Sequence, residues 1–392
     1  MIFITSYINE PHGAAKSAMD FLKSLLVLDK NVSVICPKEA DLPDEVSGFK
    51  IRKPKWYKPP IQFKFRLQVL VPGSIIQKRA IKEIIHRLKC LRLDYNDTVI
   101  VNSWASKQNW QIIKHKFTGK KILIVRESIR NFGRNEFGIT KENLSNFLSE
   151  FDFLIFVSSI VMHDWAEILQ KDTSNFFYLP NCIEEELVQK IELEKKSEVR
   201  IRLNLRPEDF ILIYPARIEY NKGQDILLTH YEEIMKINPH IKILILGMTL
   251  GIDGKKIEAR LREFQNFIVL PEQASALSYI FASDVLIFPS RTEAMPRTIL
   301  EAMSFGIPVI ASNVDGIPEL IKDGYNGFLF DIENSETLVE KLSTMINNPA
   351  LLDDFSKNSK DKYYHDFSRS NHIKRLSEIL EKINQYSNFI EG

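Results

Sequence analysis

Cysteine is scarce in this 392-residue sequence: Cys36, Cys90 and Cys182 are the only three, and they stand far apart. Three scattered thiols build neither a disulfide framework nor a metal-ligand pattern, which points to a reducing, cytoplasmic setting. Long apolar runs are also missing, and none comes near the ~20 residues of a transmembrane helix. Met1 to Ile4 is too short for the apolar core of a signal peptide, and no charged segment precedes it. Membrane contact, on this reading, is peripheral. A glycine-rich GxGxxG loop is absent, with only Gly13 following the first strand. Between Lys50 and Arg92 acids nearly vanish, Glu83 standing alone among 13 Lys and Arg.

What is present is ordinary for a soluble enzyme, with 44% apolar and 26% charged residues. The length suits two or three domains, each with its own core. A net charge of +1 hides an asymmetry. Residues 1–180 carry 27 Lys+Arg against 18 Asp+Glu, and residues 181–392 carry 25 against 33. A basic first half suits an anionic partner. In the basic segment Trp56, Tyr57, Phe63 and Phe65 interleave with the charges, and four prolines break its first part. Apolar positions 75, 76, 81, 84, 85 and 88 then mark one face of a helix. Lys53, Lys55, Trp56, Lys58, Lys64 and Arg66 are the candidates for docking on anionic lipid head groups or an anionic acceptor. Nucleic acid would select the same composition, and a solvated basic face is the plain alternative. The second half of the chain tips the choice to membrane or acceptor, with no nucleic acid.

Short all-apolar segments alternate with helical ones, the pattern of a parallel sheet covered on both faces. The first half reads as strands at 1–6, 32–36, 98–102, 121–126, 153–158 and 175–181. Active residues then belong at the C-terminal ends of strands, where Arg126 and Glu127 stand out as charges ending a buried run. The domain junction falls near Pro180–Glu185. Strands at 210–215, 241–247, 267–270, 285–288, 307–312 and 327–330 repeat the alternation, and 334–392 reads as all helical.

The stretch Pro289–Gly306 (PSRTEAMPRTILEAMSFG) leaves a strand and enters an amphipathic helix, with Glu293 and Glu301 eight residues apart. In one unbroken helix these would lie about 12 Å apart along the axis and roughly 80° apart around it. Pro296 fits a first helical turn better than a helix interior, so Glu293 is expected in the loop and Glu301 in the helix. Between them lies a helix N-terminus suited to phosphate. Arg217 and Lys222, in PARIEYNKG directly after a strand, supply two cations able to neutralise a diphosphate.

With these residues in place, the second half resembles the nucleotide-sugar domain of the retaining GT-B glycosyltransferases called family 4, or glycosyltransferase group 1. The resemblance runs over Ile213–Phe330. Its motifs are the Arg-x4-Lys-Gly of Arg217 to Gly223, the Glu-x7-Glu of Glu293 and Glu301, VDGIPELI at 314–321 and DGYNGFLF at 323–330. LPNCIE at 179–184 is similar to the family's linker. The first half is only loosely similar, through its EPHGA loop and strand–helix order. Three departures stand out: His12-Gly13 for Gly-Gly, Glu293-Ala294 for Glu-Gly, and VRES at 125–128 where a histidine commonly ends a first-domain strand.

The resemblance implies an α/β GT-B fold of two Rossmann-like, doubly wound domains facing a central cleft. Their bounds would be 1–180 on the acceptor side and 181–365 on the donor side, with a last helix at about 366–392 packing back on the first domain. It implies transfer of a hexosyl or N-acetylhexosaminyl group, with retention, from a nucleotide sugar to an acceptor hydroxyl. The acceptor would be a glycan or lipid-linked precursor in envelope polysaccharide synthesis, met at the inner face of the plasma membrane. Arg217 and Lys222 would bind the diphosphate and stabilise the leaving group. Glu293 would contact the sugar and Glu301 the ribose, and the backbone of Arg297, Thr298 and Ile299 would cap the phosphate. Gly13 would allow close approach of its loop, and Glu127 or Arg126 would take the histidine's place. No metal or other cofactor is expected, and no DxD motif occurs. A nucleotide-sugar 2-epimerase and a non-catalytic nucleotide-sugar-binding subunit are the alternative readings.

Overall fold

The computed structural model describes residues 1–6, 13–36, 47–50, 96–132, 140–273 and 275–390. The chain forms two compact units. One comprises Met1–Arg126, Thr140–Ile155 and Thr173–Phe177; the other comprises Glu127–Ile139, Phe156–Asp172 and Tyr178–Gly392.

The first sheet has seven strands: β1 (Ile2–Thr5), β2 (Ser33–Cys36), β3 (Ser47–Lys50), β4 (Val99–Asn102), β5 (Lys121–Val125), β6 (Phe153–Phe156) and β7 (Phe176–Tyr178). Their order is β3-β2-β1-β4-β5-β6-β7, and the pairs from β3 through β5 run parallel. The partition into units passes through β6 and β7. β1, β4 and β6 are buried at all four positions, as their unbroken apolar runs require of a sheet covered on both faces. At the C-terminal edge polar groups gather. Arg126 Nε donates to Asn102 Oδ1 at 2.7 Å, and Asn102 Nδ2 donates to Thr5 Oγ1 at 3.3 Å. The segment SGFK of β3, with one large apolar residue, was not anticipated. β7 is shorter than the 175–181 strand expected: Leu179 still donates its amide to Phe156 O, but beyond it the Asn181 side chain turns to Met295 O.

The second sheet has six parallel strands: β8 (Phe210–Pro215), β9 (Ile241–Leu246), β10 (Phe267–Leu270), β11 (Val285–Phe288), β12 (Val309–Ser312) and β13 (Gly327–Phe330). The order is β10-β9-β8-β11-β12-β13, so the winding reverses between β8 and β11. That reversal opens a crevice at the strand C-termini, where ligands of doubly wound sheets bind. β11 is buried throughout, and its amphipathic successor, the helix Arg297–Phe305, buries Leu300, Glu301, Met303 and Phe305 among others. The helix ends at Gly306 in the left-handed conformation (φ 70°), a usual stop for a helix. The linker is fixed by side chains: Asn181 Nδ2 donates to Met295 O at 3.1 Å, and His372 Nδ1 donates to Pro180 O at 2.7 Å. No helix among the described residues is long and apolar enough to cross a membrane.

Candidate active site

Two loops meet at the switch point, one leaving β8 and one leaving β11. The first begins at Ala216 and is held on its outer side by backbone bonds, Ile218 N to Met248 O at 2.9 Å and Leu250 N to Ile218 O at 3.0 Å. It then makes one tight turn over Tyr220–Lys222 and passes Gly223, which has φ 70°. A Cβ at Gly223 would overlap the Pro289 carbonyl oxygen of the second loop. Glycine is therefore required twice, for the left-handed backbone and for the close approach.

The loops are joined by charge. Lys222 Nζ forms an ion pair with Glu293 Oε1, and Ser290 Oγ donates to the same oxygen at 3.1 Å. Beneath them the buried Tyr214 hydroxyl donates to Lys222 O at 2.7 Å and lies 2.8 Å from Ser290 Oγ. Burial, and then the charge of Glu293, hold Tyr214 well above the usual tyrosine pKa. Its proton therefore stays on at physiological pH, and the hydroxyl acts as a fixed donor under the lysine turn. A second staple runs alongside. Arg291 grips Asp225 with two bonds of 2.8 and 2.7 Å, donates to Tyr220 O at 2.6 Å and stacks 4.0 Å from the Tyr220 ring. The bonds to Asp225 hold the Arg291 guanidinium above its ordinary pKa although burial works against them.

Glu293 lies in the loop and Glu301 in the helix, as the sequence suggested. Pro296 is not in the first helical turn; it is the cap residue before Arg297, with an extended backbone at ψ 115°. Its missing N–H costs nothing there. Thr298 Oγ1 reaches Pro215 O at 3.4 Å, tying the helix start to the end of β8. The Ile299 amide donates to Pro296 O at 3.2 Å, so one of the three amides assigned to phosphate is already engaged. Glu301 is buried and pairs with Arg297 Nε at 3.0 Å, while Arg297 Nη1 donates to Cys182 O at 3.0 Å. Arg217 is half exposed beside the lysine turn and pairs with Glu219 at 3.1 Å.

The structure thus brings Lys222 and Glu293 into contact and sets Arg217 and Thr298 on the same strand ends. Gly13 begins the first long helix of its own unit, where an added Cβ would meet nothing within 4 Å among the described residues. Glu127 follows β5, with its carbonyl accepting from Trp165 Nε1 at 2.9 Å. Lys53, Lys55, Trp56, Lys58, Lys64 and Arg66 lie outside the described residues. Sequence reasoning missed Tyr214, Ser290 and Arg291. The signal was there in principle, since each is a polar group at the end of a buried β-run. Among the described residues no group of three or more His, Cys, Asp or Glu side chains gathers that could hold a metal ion. The arrangement instead offers two cations, a helix start and a carboxylate at one crevice, a set suited to a phosphate ester carrying hydroxyls.

Residues 195–362 match the family model described as glycosyl transferases group 1. An uncharacterized glycosyltransferase of Haemophilus influenzae is 31% identical over 141 residues, which is 36% of this chain and 40% of that protein. The chain thus aligns with less than half the length of the first curated relatives it matches. The alpha-monoglucosyldiacylglycerol synthase of Acholeplasma laidlawii is 24% identical over 372 residues, 92% of this chain and 91% of that protein. Among solved structures, Anabaena HepE in complex with UDP and glucose superposes with a TM-score of 0.74 over 97% of this chain and 98% of its own, at 17% identity. By fold the chain is therefore a GT-B protein of two Rossmann-like domains, and its residues 195–362 are similar to the glycosyl transferases of group 1.

Proposed function

We propose that the chain is a retaining glycosyltransferase that moves a sugar from a nucleotide sugar to an acceptor hydroxyl. The observation that carries this reading is the Lys222–Glu293 ion pair at the switch point of the second sheet. When a donor arrives, Lys222 and Arg217 take the diphosphate, assisted by the amides of Arg297 and Thr298. Glu293 accepts from hydroxyls of the transferred sugar, and Glu301 from those of the ribose. As the bond between the anomeric carbon and the diphosphate oxygen breaks, negative charge grows on the leaving group. Two cations and a helix N-terminus stabilise it there, with no metal needed. The glutamates bind hydroxyls and do not form an acid–base pair. Glu127, at a strand end, is the candidate for the contact near the reacting carbon.

For the acceptor we favour a lipid-linked precursor met at the inner face of the membrane. The relative aligned along nearly the whole chain is named for a glucosyldiacylglycerol product, and residues 50–92 combine basic and aromatic side chains.

The test is a thermal-shift screen of UDP-, GDP- and ADP-sugars, followed by product analysis with the best donor. One donor is expected to raise the melting temperature by linkage, and Lys222→Ala to abolish the shift. NMR of the glycosylated product should show the donor's anomeric configuration. An epimerised free donor formed without any acceptor would refute the transferase reading.

A further inference from the structure

One buried carboxylate near the site, Asp315, sends its two oxygens in different directions. Oδ2 accepts from the Glu293 amide at 2.9 Å and from the Thr292 hydroxyl at 2.7 Å. Oδ1 has no hydrogen-bonding partner among the described residues and faces Arg130 Nε at 3.3 Å as an ion pair. The Asp315 side chain is 0% exposed, whereas Arg130 is 61% exposed. Asp315 also takes a left-handed backbone, φ 46°, which is costly for a residue with a Cβ. Its neighbour Gly316 donates its amide to Glu293 O at 3.1 Å, and a Cβ there would overlap the Ala294 carbonyl oxygen.

The peptide groups flanking Glu293 are therefore gripped from both sides, the N–H by Asp315 and the C=O by Gly316. Neither bond is needed to end β12, which stops at Ser312, or to start the next helix, which begins at Ile317. Burying a carboxylate in a strained turn is expensive unless something is held by it. What is held is the loop residue placed on the transferred sugar. Arg130 balances the charge from the segment that follows β5. Asp164 completes the cluster: burial pushes it above the usual carboxylate range, Arg130 pulls it down and Asp315 pushes it further up.

We propose that Asp315 is a positioning residue for sugar transfer: its Oδ2 sets the Thr292–Glu293 backbone so that the Glu293 carboxylate meets the sugar hydroxyls, and Arg130 compensates its buried charge. This role rests on the transferase reading above.

The experiment compares the full-length wild type with Asp315→Ala and Asp315→Asn. Asparagine keeps an oxygen able to accept from the Glu293 amide and Thr292. Hydrogen exchange of the ligand-free protein reads the grip directly. In Asp315→Ala, peptides covering 290–296 should exchange about tenfold faster while those of β8 and β11 are unchanged. Affinity for the free nucleoside diphosphate, which lacks the sugar, should stay within about twofold, while kcat for transfer falls ~10–100-fold. Asp315→Asn should recover most of both the exchange protection and kcat. Unchanged exchange at 290–296 in Asp315→Ala would overturn this role. So would a parallel loss of nucleoside diphosphate affinity and of protection in β8 and β11, which marks a general folding role. Failure of the asparagine variant to recover protection would overturn it as well. If the wild type transfers sugar from no donor, it is the transferase reading that falls, and the exchange result still decides whether Asp315 grips Glu293.

Discussion

Lys222 and Glu293 are each mostly enclosed, with side chains 18% and 16% exposed. Removing one partner of such a pair leaves the other charged and short of solvent, which costs more than never having had the pair. Lys222→Met should therefore lower unfolding stability by about 1–3 kcal/mol, less than for a fully buried pair because some water reaches it. The double variant Lys222→Met/Glu293→Gln should regain much of that loss. Denaturant melts of the four proteins in the cycle measure the coupling, and a loss in the double variant equal to the sum of the two single losses would argue against it. On the transferase reading, activity should be lost in all three variants, two of which lack the cation for the diphosphate while Glu293→Gln lacks the carboxylate for the sugar hydroxyls. Tyr214 belongs to the same argument, because its hydroxyl holds the carbonyl of Lys222 and so the direction of the side chain.

The β8 and β11 loops can approach only because residue 223 has no Cβ. Gly223→Ala meets the Pro289 carbonyl and an unfavourable φ together, and should cost about 2 kcal/mol or more. It should also weaken donor binding by shifting the lysine turn. Gly251, with φ 69° and open space around its Cβ position, is the control. Gly251→Ala should cost only about 1 kcal/mol and leave donor binding intact. Thermal melts with and without nucleotide separate the two effects. At this scale much was readable in advance. Strands such as β6 and β11 announce themselves as four-residue apolar runs, and the loop-then-helix placement of Glu293 and Glu301 follows from Pro296. Not readable was β3, whose SGFK carries too little apolar signal and forms because β2 offers an edge. Nor was Asp315, quoted within VDGIPELI and given no role. Its partners lie 22 and 23 residues away, and the sequence does not show which groups its carboxylate faces.

Across the whole chain the charge is divided, an excess of nine positive charges in residues 1–180 against eight negative in 181–392. The basic excess concentrates in residues 50–92, where each Lys or Arg held near an anionic membrane is worth about 1 kcal/mol. The full chain should float with vesicles rich in phosphatidylserine or phosphatidylglycerol at low salt and be released as ionic strength screens the charges. Replacing Lys53, Lys55, Lys58, Lys64 and Arg66 by Gln should abolish flotation without altering the donor-induced thermal shift. Equal binding to neutral vesicles would count against the electrostatic account. The repeated rhythm of strand and helix was legible in both halves, while the strand order of each sheet came from the structure. The matching of Lys222 to Glu293, 71 residues apart, was not, because a sequence shows which charges exist and not which ones face each other.

That pairing gives the crevice an occupant of its own. Lys222 is neutralised by a carboxylate that the protein itself supplies, so a small anion such as chloride or phosphate gains little by entering. On the transferase reading, a nucleotide sugar would take the ammonium for its phosphates and hand the released carboxylate a set of hydroxyls, an exchange that a nucleoside diphosphate alone would leave half made.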